Sequence, residues 1–396
     1  MSAPKAAPPF DPRDPLGLDD LLGPEDRAIR ETVRAWAADR VLPNVAEWYE
    51  RGELPVTELA RELGSIGALG MTLTGYGCAG ASAVQYGLAC LELEAADSGI
   101  RSLVSVQGSL AMYAIHRFGS PEQKQQWLPA MAAGEVIGCF GLTEPDHGSD
   151  PAAMRTRAER DGSDWVLSGR KMWITNGSVA GVAVVWAQTE EGIRGFVVPT
   201  GVPGFSAPEI RHKWSLRASV TSELVLDGVR LPADAVLPGV TGLRGPLGCL
   251  SHARYGIVWG AMGAARSCFE AALEYAIGRE QFGRPIGGFQ LTQAKLADMA
   301  VELHKGILLA HHLGRRMDAG TLRPEQVSFG KLNNVREAID ICRTARTVLG
   351  ANGISLEYPV MRHATNLESV LTYEGTVEMH QLVLGKALTG LDAFRG

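Results

Sequence analysis

The feature that most constrains the fold is a change in hydrophobic periodicity that occurs twice along the chain. Apolar residues recur every three to four positions in residues 25–135, as in EDRAIRETVRAWAADRV, and again in residues 246–396. Between these regions, residues 136–245 contain short β-rich segments such as VAVVWAQT and RGFVVP, separated by turn sequences. Because strands and helices do not alternate, a doubly wound α/β fold is not expected. The pattern predicts a multidomain α+β protein with an N-terminal helical domain, a middle antiparallel β-domain and a C-terminal helical bundle.

The composition of the chain argues against several classes of protein. Hydrophobic residues make up 45% of the 396 residues, enough for a large core, and a net charge of −6 provides no basic excess for binding nucleic acid. No stretch is long and apolar enough to be a membrane span. Segment 1–24 lacks the apolar run of a signal peptide, so we expect a flexible lead-in and a cytoplasmic protein. Six cysteines without a CxxC pattern predict neither a metal site nor a disulfide framework.

The segment GYGCAG (75–80) has the glycine spacing of a dinucleotide-binding fingerprint, and Glu94 follows about twenty residues later. That fingerprint functions in a strand-turn-helix unit of a parallel sheet, whereas helical patterns continue here on both sides of the glycines. We therefore interpret the segment as a turn between helices.

A single carboxylate lies among apolar residues in LTYEGTVEMHQLVLGKA, where Glu374 is followed by Gly375. A Glu before a helix that starts near Val377 is ordinarily a first-turn acid favoured by the helix dipole. Alternatively, a carboxylate in a dry pocket has a raised proton affinity, which the abstraction of a weakly acidic C–H proton requires. Other segments of the chain favour the second interpretation.

Four segments precede YEGT in a fixed order: CFGLTEPDHGSD (139–150), KMWITNG (171–177), REQFGRPI (279–286) and LGANGI (349–354). Together they resemble the signature segments of the acyl-CoA dehydrogenase family, whose fold has the same helix-β-helix order. The resemblance covers nearly all of the chain after the lead-in. It implies non-covalently bound FAD, an acyl-CoA substrate that is oxidised between its α and β carbons, and a homotetramer.

The resemblance also implies a set of cofactor residues. Backbone donors near Leu142 and Thr143 would serve the reduced flavin, and Trp173 would lie against its ring system. Taken alone, Trp173 would be core packing and Arg279 a solvated cation at a helix end. The implied cofactor residues are Phe140, Leu142, Thr143, Gly148, Ser149, Trp173, Ile174, Thr175, Arg279, Gln281, Phe282, Gln290, Leu349, Gly350, Gly353, Thr376 and Glu378, of which the 279–282 and 350–353 residues would serve a neighbouring subunit.

The same resemblance gives Glu374 the role of the base that removes the α proton while hydride leaves the β carbon for flavin N5. The Glu374 amide and the FAD ribityl hydroxyl would hold the thioester oxygen, whose developing charge needs donors. Arg254, in SHARYG, matches a cation near the CoA phosphates. Glu378 stands where Gln is common in the family, so that contact with the cofactor is open.

Arg101 lies beside Ser102 in DSGIRSLVSVQ, and a guanidinium on the wall of an acyl pocket is costly unless it meets an anion. It resembles the arginine with which glutaryl-CoA dehydrogenases bind the distal carboxylate of their substrate. Glu94 and Tyr373 match the members that also decarboxylate, which implies conversion of glutaryl-CoA to crotonyl-CoA, with electrons passed to electron-transfer flavoprotein. The alternative is that Arg101 pairs with Glu94 or Asp97.

Two residues differ from those of many relatives, so the length of the acyl chain that is bound stays open. Ile100 stands where many relatives have Tyr, and Gly108 is smaller than usual, so either could alter the pocket. The chain could instead be a dehydrogenase or oxidase of another short-chain, branched or carrier-bound acyl thioester. A non-catalytic flavin or CoA-ester binding scaffold is a third interpretation, and the presence of Glu374 argues against it.

Overall fold

The computed structural model describes residues 10–393, and its N-terminal region is helical as predicted. A seven-residue π-helical segment, Val106–Met112, lies between two of its α-helices. The other elements of this region are α1 (Pro24–Arg40), α2 (Val45–Arg51), α3 (Val56–Ser65), β1 (Thr74–Gly75), β2 (Cys78–Ala79), α4 (Ala83–Ala96), α5 (Ser98–Ser105), α6 (Tyr113–Phe118) and α7 (Pro121–Ala132).

The segment expected to be a flexible lead-in packs onto the helices over its described part. Residues 18–21 form a 3-10 helix, and Asp19 pairs with Arg30 on α1. His304, in the C-terminal region, contacts the carbonyl oxygen of Arg13 at 3.2 Å. The expectation thus differs from the structure because the Asp19–Arg30 ion pair and the His304 contact hold the described part of this segment on the helices. Residues 1–9 lie outside the described residues.

The glycines of GYGCAG form a tight hairpin between helices rather than part of a βαβ unit. Strands β1 and β2 pair antiparallel, and Gly75, Gly77 and Gly80 all have positive φ. Because glycine has no Cβ, it adopts this backbone region without steric cost. The glycine spacing therefore serves the turn, and the prediction of a turn between helices is confirmed.

The middle region is a single seven-stranded sheet in the order β3-β6-β4-β5-β9-β8, with β7 paired to β6. The sheet is mixed, because β3 and β4 both run parallel to β6. The expectation of a purely antiparallel domain is wrong on this point, since alternation of apolar residues looks the same for both directions of pairing. The strands are β3 (Gly138–Gly141), β4 (Arg157–Asp161), β5 (Asp164–Thr175), β6 (Val182–Thr189), β7 (Gly192–Pro199), β8 (Phe205–Ser206) and β9 (Thr221–Leu231).

The C-terminal region is a bundle whose long helices carry the predicted apolar stripes. Met299, Leu303 and Ala310 are buried on one helix, and Val335 and Ile339 on the next. No helix within residues 10–393 is both long and apolar enough to cross a membrane. The elements are α8 (Arg244–Gly278), β10 (Glu280–Gln281), β11 (Arg284–Pro285), α9 (Gln290–Asp318), α10 (Pro324–Leu349), α11 (Val360–Thr372) and α12 (Val377–Thr389).

A buried polar junction fixes the three regions relative to one another. Asp97, at the start of α5, accepts hydrogen bonds from Arg362 and from Asn366 on α11, the latter at 2.9 Å. Asn366 in turn accepts one from the Leu216 amide of the middle region at 2.8 Å. A Cβ on Gly99 would stand 1.9 Å from the Ala218 carbonyl oxygen, so only glycine permits this approach. The junction places α5 at the meeting point of all three regions.

Glu92 ties α1 and α8 to α4. Its carboxylate accepts hydrogen bonds from Arg266 at 2.7 and 2.6 Å and from Arg34 at 2.9 and 3.1 Å. Burial acts to raise the pKa of Glu92, but the charges and hydrogen bonds of Arg266 and Arg34 outweigh it and lower the pKa to about 2. Glu92 therefore stabilises the fold in its ionised form.

Replacing Glu92 with Gln is expected to lower the free energy of unfolding by about 3–5 kcal/mol, because a buried ion-pair network loses one partner. The folded-state pKa of Glu92 is about 2, against an ordinary value of 4.5. The loss in free energy of unfolding should therefore be largest at neutral pH and should shrink as the pH falls from 4.5 to 2. Urea unfolding measured at several pH values tests both points. Glu47→Gln, which removes an exposed pair with Arg51, is the control and should cost less than about 0.5 kcal/mol; equal losses would contradict the expectation.

Candidate active site

Glu374 occupies the short connection between α11 and α12, in a backbone conformation that is rare for a residue with a side chain. Its φ is +53°, and Gly375 follows with φ of +101°. Thr376 then caps α12 by accepting a hydrogen bond from the Met379 amide at 3.3 Å. Glu374 therefore precedes the helix, and the first-turn acid is Glu378. Its Oε2 atom is buried and accepts no hydrogen bond within the described residues.

The environment of this carboxylate favours its protonated form more than water does. Burial raises the pKa of Glu374, although the positive charges of Arg101, Arg254 and Lys331 act in the opposite direction. A carboxylate with raised proton affinity and a free oxygen has the properties of a general base.

Arg254 holds the backbone of Glu374. Its Nε donates a hydrogen bond to the Glu374 carbonyl oxygen at 2.6 Å, and burial lowers the pKa of Arg254. The contact of Arg254 with CoA phosphates that the sequence implied stays a prediction, and this bond uses only one of the guanidinium nitrogens. The bond places α8 directly beside the connection between α11 and α12, a proximity that sequence does not reveal.

Arg101 is buried beside Tyr373. Its Nε donates to Glu94 Oε2 at 2.6 Å, and its Nη2 donates to the Tyr373 hydroxyl. The Ser102 hydroxyl lies 3.5 Å from that same hydroxyl, and burial raises the pKa of Tyr373 to about 12. The alternative that Arg101 pairs with Glu94 is therefore what the structure shows, whereas Asp97 pairs with Arg362.

The ion pair with Glu94 does not use all the hydrogen-bond donors of the Arg101 guanidinium. Nη1 of Arg101 makes no hydrogen bond within residues 10–393, and the Arg101 charge acts on Glu374. Glu94 is held from the other side by Ser98, whose hydroxyl donates to Oε1 at 2.9 Å. Arg101 is thus fixed by its neighbours and retains donor capacity at the site.

Two residues beside Glu374 were missed by sequence reasoning. Lys331 of α10 donates from Nζ to the carbonyl oxygens of Tyr373 and Gly375, at 2.7 Å each. His380 of α12 is buried with both ring nitrogens unpartnered, and burial, reinforced by the charges of Lys331 and Arg254, lowers its pKa to about 3. A cation inside the otherwise apolar α10 pattern was the available signal for Lys331.

The loop implied to contact the flavin is fastened to β5 by a buried ion pair. Lys171 Nζ lies 2.9 Å from Glu144 Oε1 and 3.1 Å from the Leu142 carbonyl oxygen. Glu144 also accepts from the Arg155 and Thr156 amides at 2.6 and 2.8 Å. Both charged residues belong to the signature segments, but neither was singled out from the sequence. They fix the loop that carries Thr143, Gly148 and Ser149.

Trp173 presents a large aromatic side chain to solvent. Its side chain is 59% exposed and its φ is +63°, so the interpretation as core packing is wrong. Gly148 and Ser149 lie on an exposed loop, and a Cβ on Gly148 would meet nothing within 4 Å. By contrast, the side chains of Phe140, Leu142 and Ile174 are buried, so their contact with a cofactor would come through the backbone.

The residues expected to serve a neighbouring subunit do not join this cluster in the single chain. Arg279, Gln281, Phe282 and Gln290 are exposed, and Phe282 is 95% exposed at the tip of the β10-β11 hairpin. At the end of α10, Gly350 has positive φ and is exposed, whereas Leu349 and Gly353 are buried.

Comparison with known proteins agrees with this architecture. Family models described as the N-terminal, middle and C-terminal domains of acyl-CoA dehydrogenase match residues 23–135, 139–229 and 241–389. The mitochondrial short-chain specific acyl-CoA dehydrogenase of Bos taurus is 34% identical over 367 residues, which cover 90% of this chain and 88% of that protein.

Two solved structures are more similar. One is a glutaryl-CoA dehydrogenase from Mycobacterium smegmatis, 73% identical with a TM-score of 0.96, covering 97% of this chain and 99% of that one. The other is a glutaryl-CoA dehydrogenase from Mycobacterium smegmatis in complex with FADH2, 64% identical with a TM-score of 0.96, covering 98% and 100%. The chain belongs to the acyl-CoA dehydrogenase family, and it is an oxidoreductase with FAD as its cofactor.

The geometry fits that cofactor. The exposed indole of Trp173 offers a flat apolar face to a ring system, and the open Gly148-Ser149 loop offers backbone and hydroxyl donors to phosphate. The buried Lys171–Glu144 pair keeps that loop in place without occupying its outer face.

Gly260 provides the space in which Glu94 and Arg101 meet. A Cβ at this position of α8 would stand 2.0 Å from Glu94 Oε2 and 3.3 Å from Arg101 Nε. Gly248, on the same helix, would place its Cβ in open space.

Replacing Gly260 with Ala is therefore expected to separate the buried pair and to lower the free energy of unfolding by about 3 kcal/mol. Gly248→Ala is the matched control; it should be neutral or stabilise the helix by up to about 1 kcal/mol. Chemical denaturation of both variants measures the difference. If the two variants were equally stable, the close approach at Gly260 would have no energetic importance.

Proposed function

We propose that the protein oxidises glutaryl-CoA at its α and β carbons and decarboxylates the product to crotonyl-CoA, with Glu374 as the catalytic base. The observation that supports this proposal is that one site contains two buried groups with free hydrogen-bonding capacity. One is an unpartnered carboxylate oxygen of Glu374, and the other is Nη1 of the Arg101 guanidinium. The high identity to two glutaryl-CoA dehydrogenase structures supports it.

Glu374 removes the α proton of the substrate. Its raised pKa increases its affinity for that proton. The bound FAD supplies the two-electron acceptor that takes hydride from the β carbon. Trp173, Thr175 and the Leu142–Thr143 backbone would hold it, and Gly148 and Ser149 would bind its phosphates.

The charge balance of the site favours an anionic acyl group. Arg101, Arg254 and Lys331 all act electrostatically on Glu374, and Glu94 is the second carboxylate of the cluster. Three cations thus face two carboxylates, and a distal substrate carboxylate would supply the missing negative charge. Since Arg101 is already fixed by Glu94, the substrate carboxylate would meet a preorganised donor.

The same residues serve decarboxylation. Binding at Arg101 positions the γ-carboxylate, and its loss leaves electrons that delocalise toward the thioester. Glu374, protonated by the first step, returns its proton to carbon and gives crotonyl-CoA. Tyr373 keeps Arg101 in place through its hydroxyl throughout. Ile100 belongs to the N-terminal core, and a Cβ on Gly108 would stand 2.8 Å from the Gly70 backbone nitrogen.

We further propose that electron-transfer flavoprotein accepts the electrons and that the enzyme is a homotetramer. Apolar side chains exposed on the single chain support assembly: Phe282 is 95% exposed, and Leu291 and Val301 on α9 are 81% and 56% exposed. Large exposed apolar residues of this kind are typical of a subunit interface. The hairpin around Phe282 would then reach a neighbouring cofactor.

Anaerobic addition of glutaryl-CoA to the FAD-loaded protein is expected to bleach the flavin, and turnover is expected to yield crotonyl-CoA and carbon dioxide. Glu374→Gln should bind the substrate without bleaching, with a rate loss of about 10⁴-fold or more, because it removes the proton acceptor. Absorbance spectroscopy and product analysis measure these results. Bleaching by butyryl-CoA but not glutaryl-CoA would favour the alternative of another short-chain acyl thioester, and hydrogen peroxide formed in air would indicate an oxidase.

Replacing Arg101 with Gln is expected to reduce kcat/KM for glutaryl-CoA about 10²-fold more than for butyryl-CoA, because only the dicarboxylate loses a charged partner. The ratio of the two substrates within one variant cancels any general damage from leaving Glu94 unpaired. Arg101→Lys, which retains the charge, should show a smaller change in the ratio. Equal losses for both substrates would reject the carboxylate clamp.

A further inference from the structure

The three consecutive carbonyl groups around the base are all held by cations from the helical bundle. Lys331, which is 2% exposed, donates from Nζ to the oxygens of Tyr373 and Gly375 at 2.7 Å each. Arg254 donates to the oxygen of Glu374 between them. These bonds are not part of any helix, since α11 ends at Thr372 and α12 begins at Val377.

Holding a carbonyl group also fixes the direction of the amide in the same peptide. A trans peptide is planar, and its N–H points opposite to its C=O. Because Lys331 fixes the Tyr373 carbonyl, the Glu374 N–H points away from α10. That N–H makes no backbone or side-chain hydrogen bond within residues 10–393. It is a free donor next to the carboxylate of the base.

We infer that Lys331 is a positioning residue: it turns the Glu374 amide toward the substrate thioester and strengthens it as an oxyanion donor. This inference rests on the proposed function, since the donor acts on a thioester oxygen. The ammonium group draws electron density through the Tyr373 carbonyl, which makes the N–H of that peptide a stronger hydrogen-bond donor. The hydrogen bonds of Lys331 Nζ go to the backbone of the connection, and this nitrogen also lies 6.0 Å from the centroid of the Tyr373 ring.

A role in packing alone does not explain a lysine here. Burial lowers the pKa of Lys331 to about 7, and the charges of Arg254 and Arg101 act in the same direction, against Glu374. An apolar side chain of similar length would avoid that desolvation. The lysine provides two donors at one point, which is what fixes the carbonyls on both sides of Glu374.

The test is the vibrational spectrum of crotonyl-CoA labelled with ¹³C at the thioester carbonyl and bound to the FAD-loaded protein. In the unaltered enzyme the carbonyl stretch is expected to shift to lower wavenumber, because a hydrogen-bonded carbonyl is polarised. Lys331→Met should lose at least half of this shift and about 10²-fold in kcat for glutaryl-CoA, with KM changed far less. Lys331→Gln can reach one carbonyl, so its shift and its kcat should lie between those of the unaltered enzyme and of Lys331→Met. It also provides the test if Lys331→Met does not fold.

Lys213→Met is the matched control. Lys213 is another largely buried lysine, whose Nζ donates to the Leu216 and Ser219 carbonyl oxygens at 2.7 and 2.6 Å, away from Glu374. It should lower thermal stability without moving the carbonyl band. An unchanged band in the Lys331 variants, or an equal change in the control, would overturn the inference. Absence of any shift in the unaltered enzyme would instead count against the proposed function.

Discussion

The structure depends on keeping several charges out of water within one small volume. Arg101 and Lys331 are buried near Glu374, Arg254 is half-buried there, and each is held by oxygens of the protein. A buried charge without such partners would cost several kcal/mol, so these contacts make the cluster tolerable. They also make it rigid, because moving any one cation would leave an oxygen or a nitrogen unpaired. The raised proton affinity of Glu374 is a consequence of this dry environment.

The cluster is assembled from helices of two regions and is fixed through the third. Arg101 comes from α5, Arg254 from α8, and Lys331 from α10, while the base lies after α11. The Asp97–Arg362 pair and the Leu216 amide connect these elements to the middle region. Small residues allow the approach: Gly99 meets the middle region, and Gly260 leaves space for Glu94. The chemistry of substrate and cofactor therefore depends on the contacts between the regions more than on any single region.

Much of the fold was predictable from local pattern. The helix-sheet-helix order follows from hydrophobic periodicity. At the start of α7, Ser120 and Gln123 cap each other, and this spacing is a local sequence signature of a helix start. The direction of strands β3 and β4 was not predictable, because periodicity carries no information about parallel or antiparallel pairing. The described part of the lead-in was also missed, since the Asp19–Arg30 pair joins residues whose proximity only the fold creates.

The sequence by itself determined the family, the order of regions and the residue types of the site, because the signature segments and periodicities are local properties of the chain. Only the tertiary structure decided which charges meet. It paired Arg101 with Glu94, placed the Nε of Arg254 at the Glu374 carbonyl oxygen, and brought Lys331 to the same backbone. The physical reason is that burial and electrostatic interaction depend on distances between residues far apart in sequence, which composition and spacing do not contain.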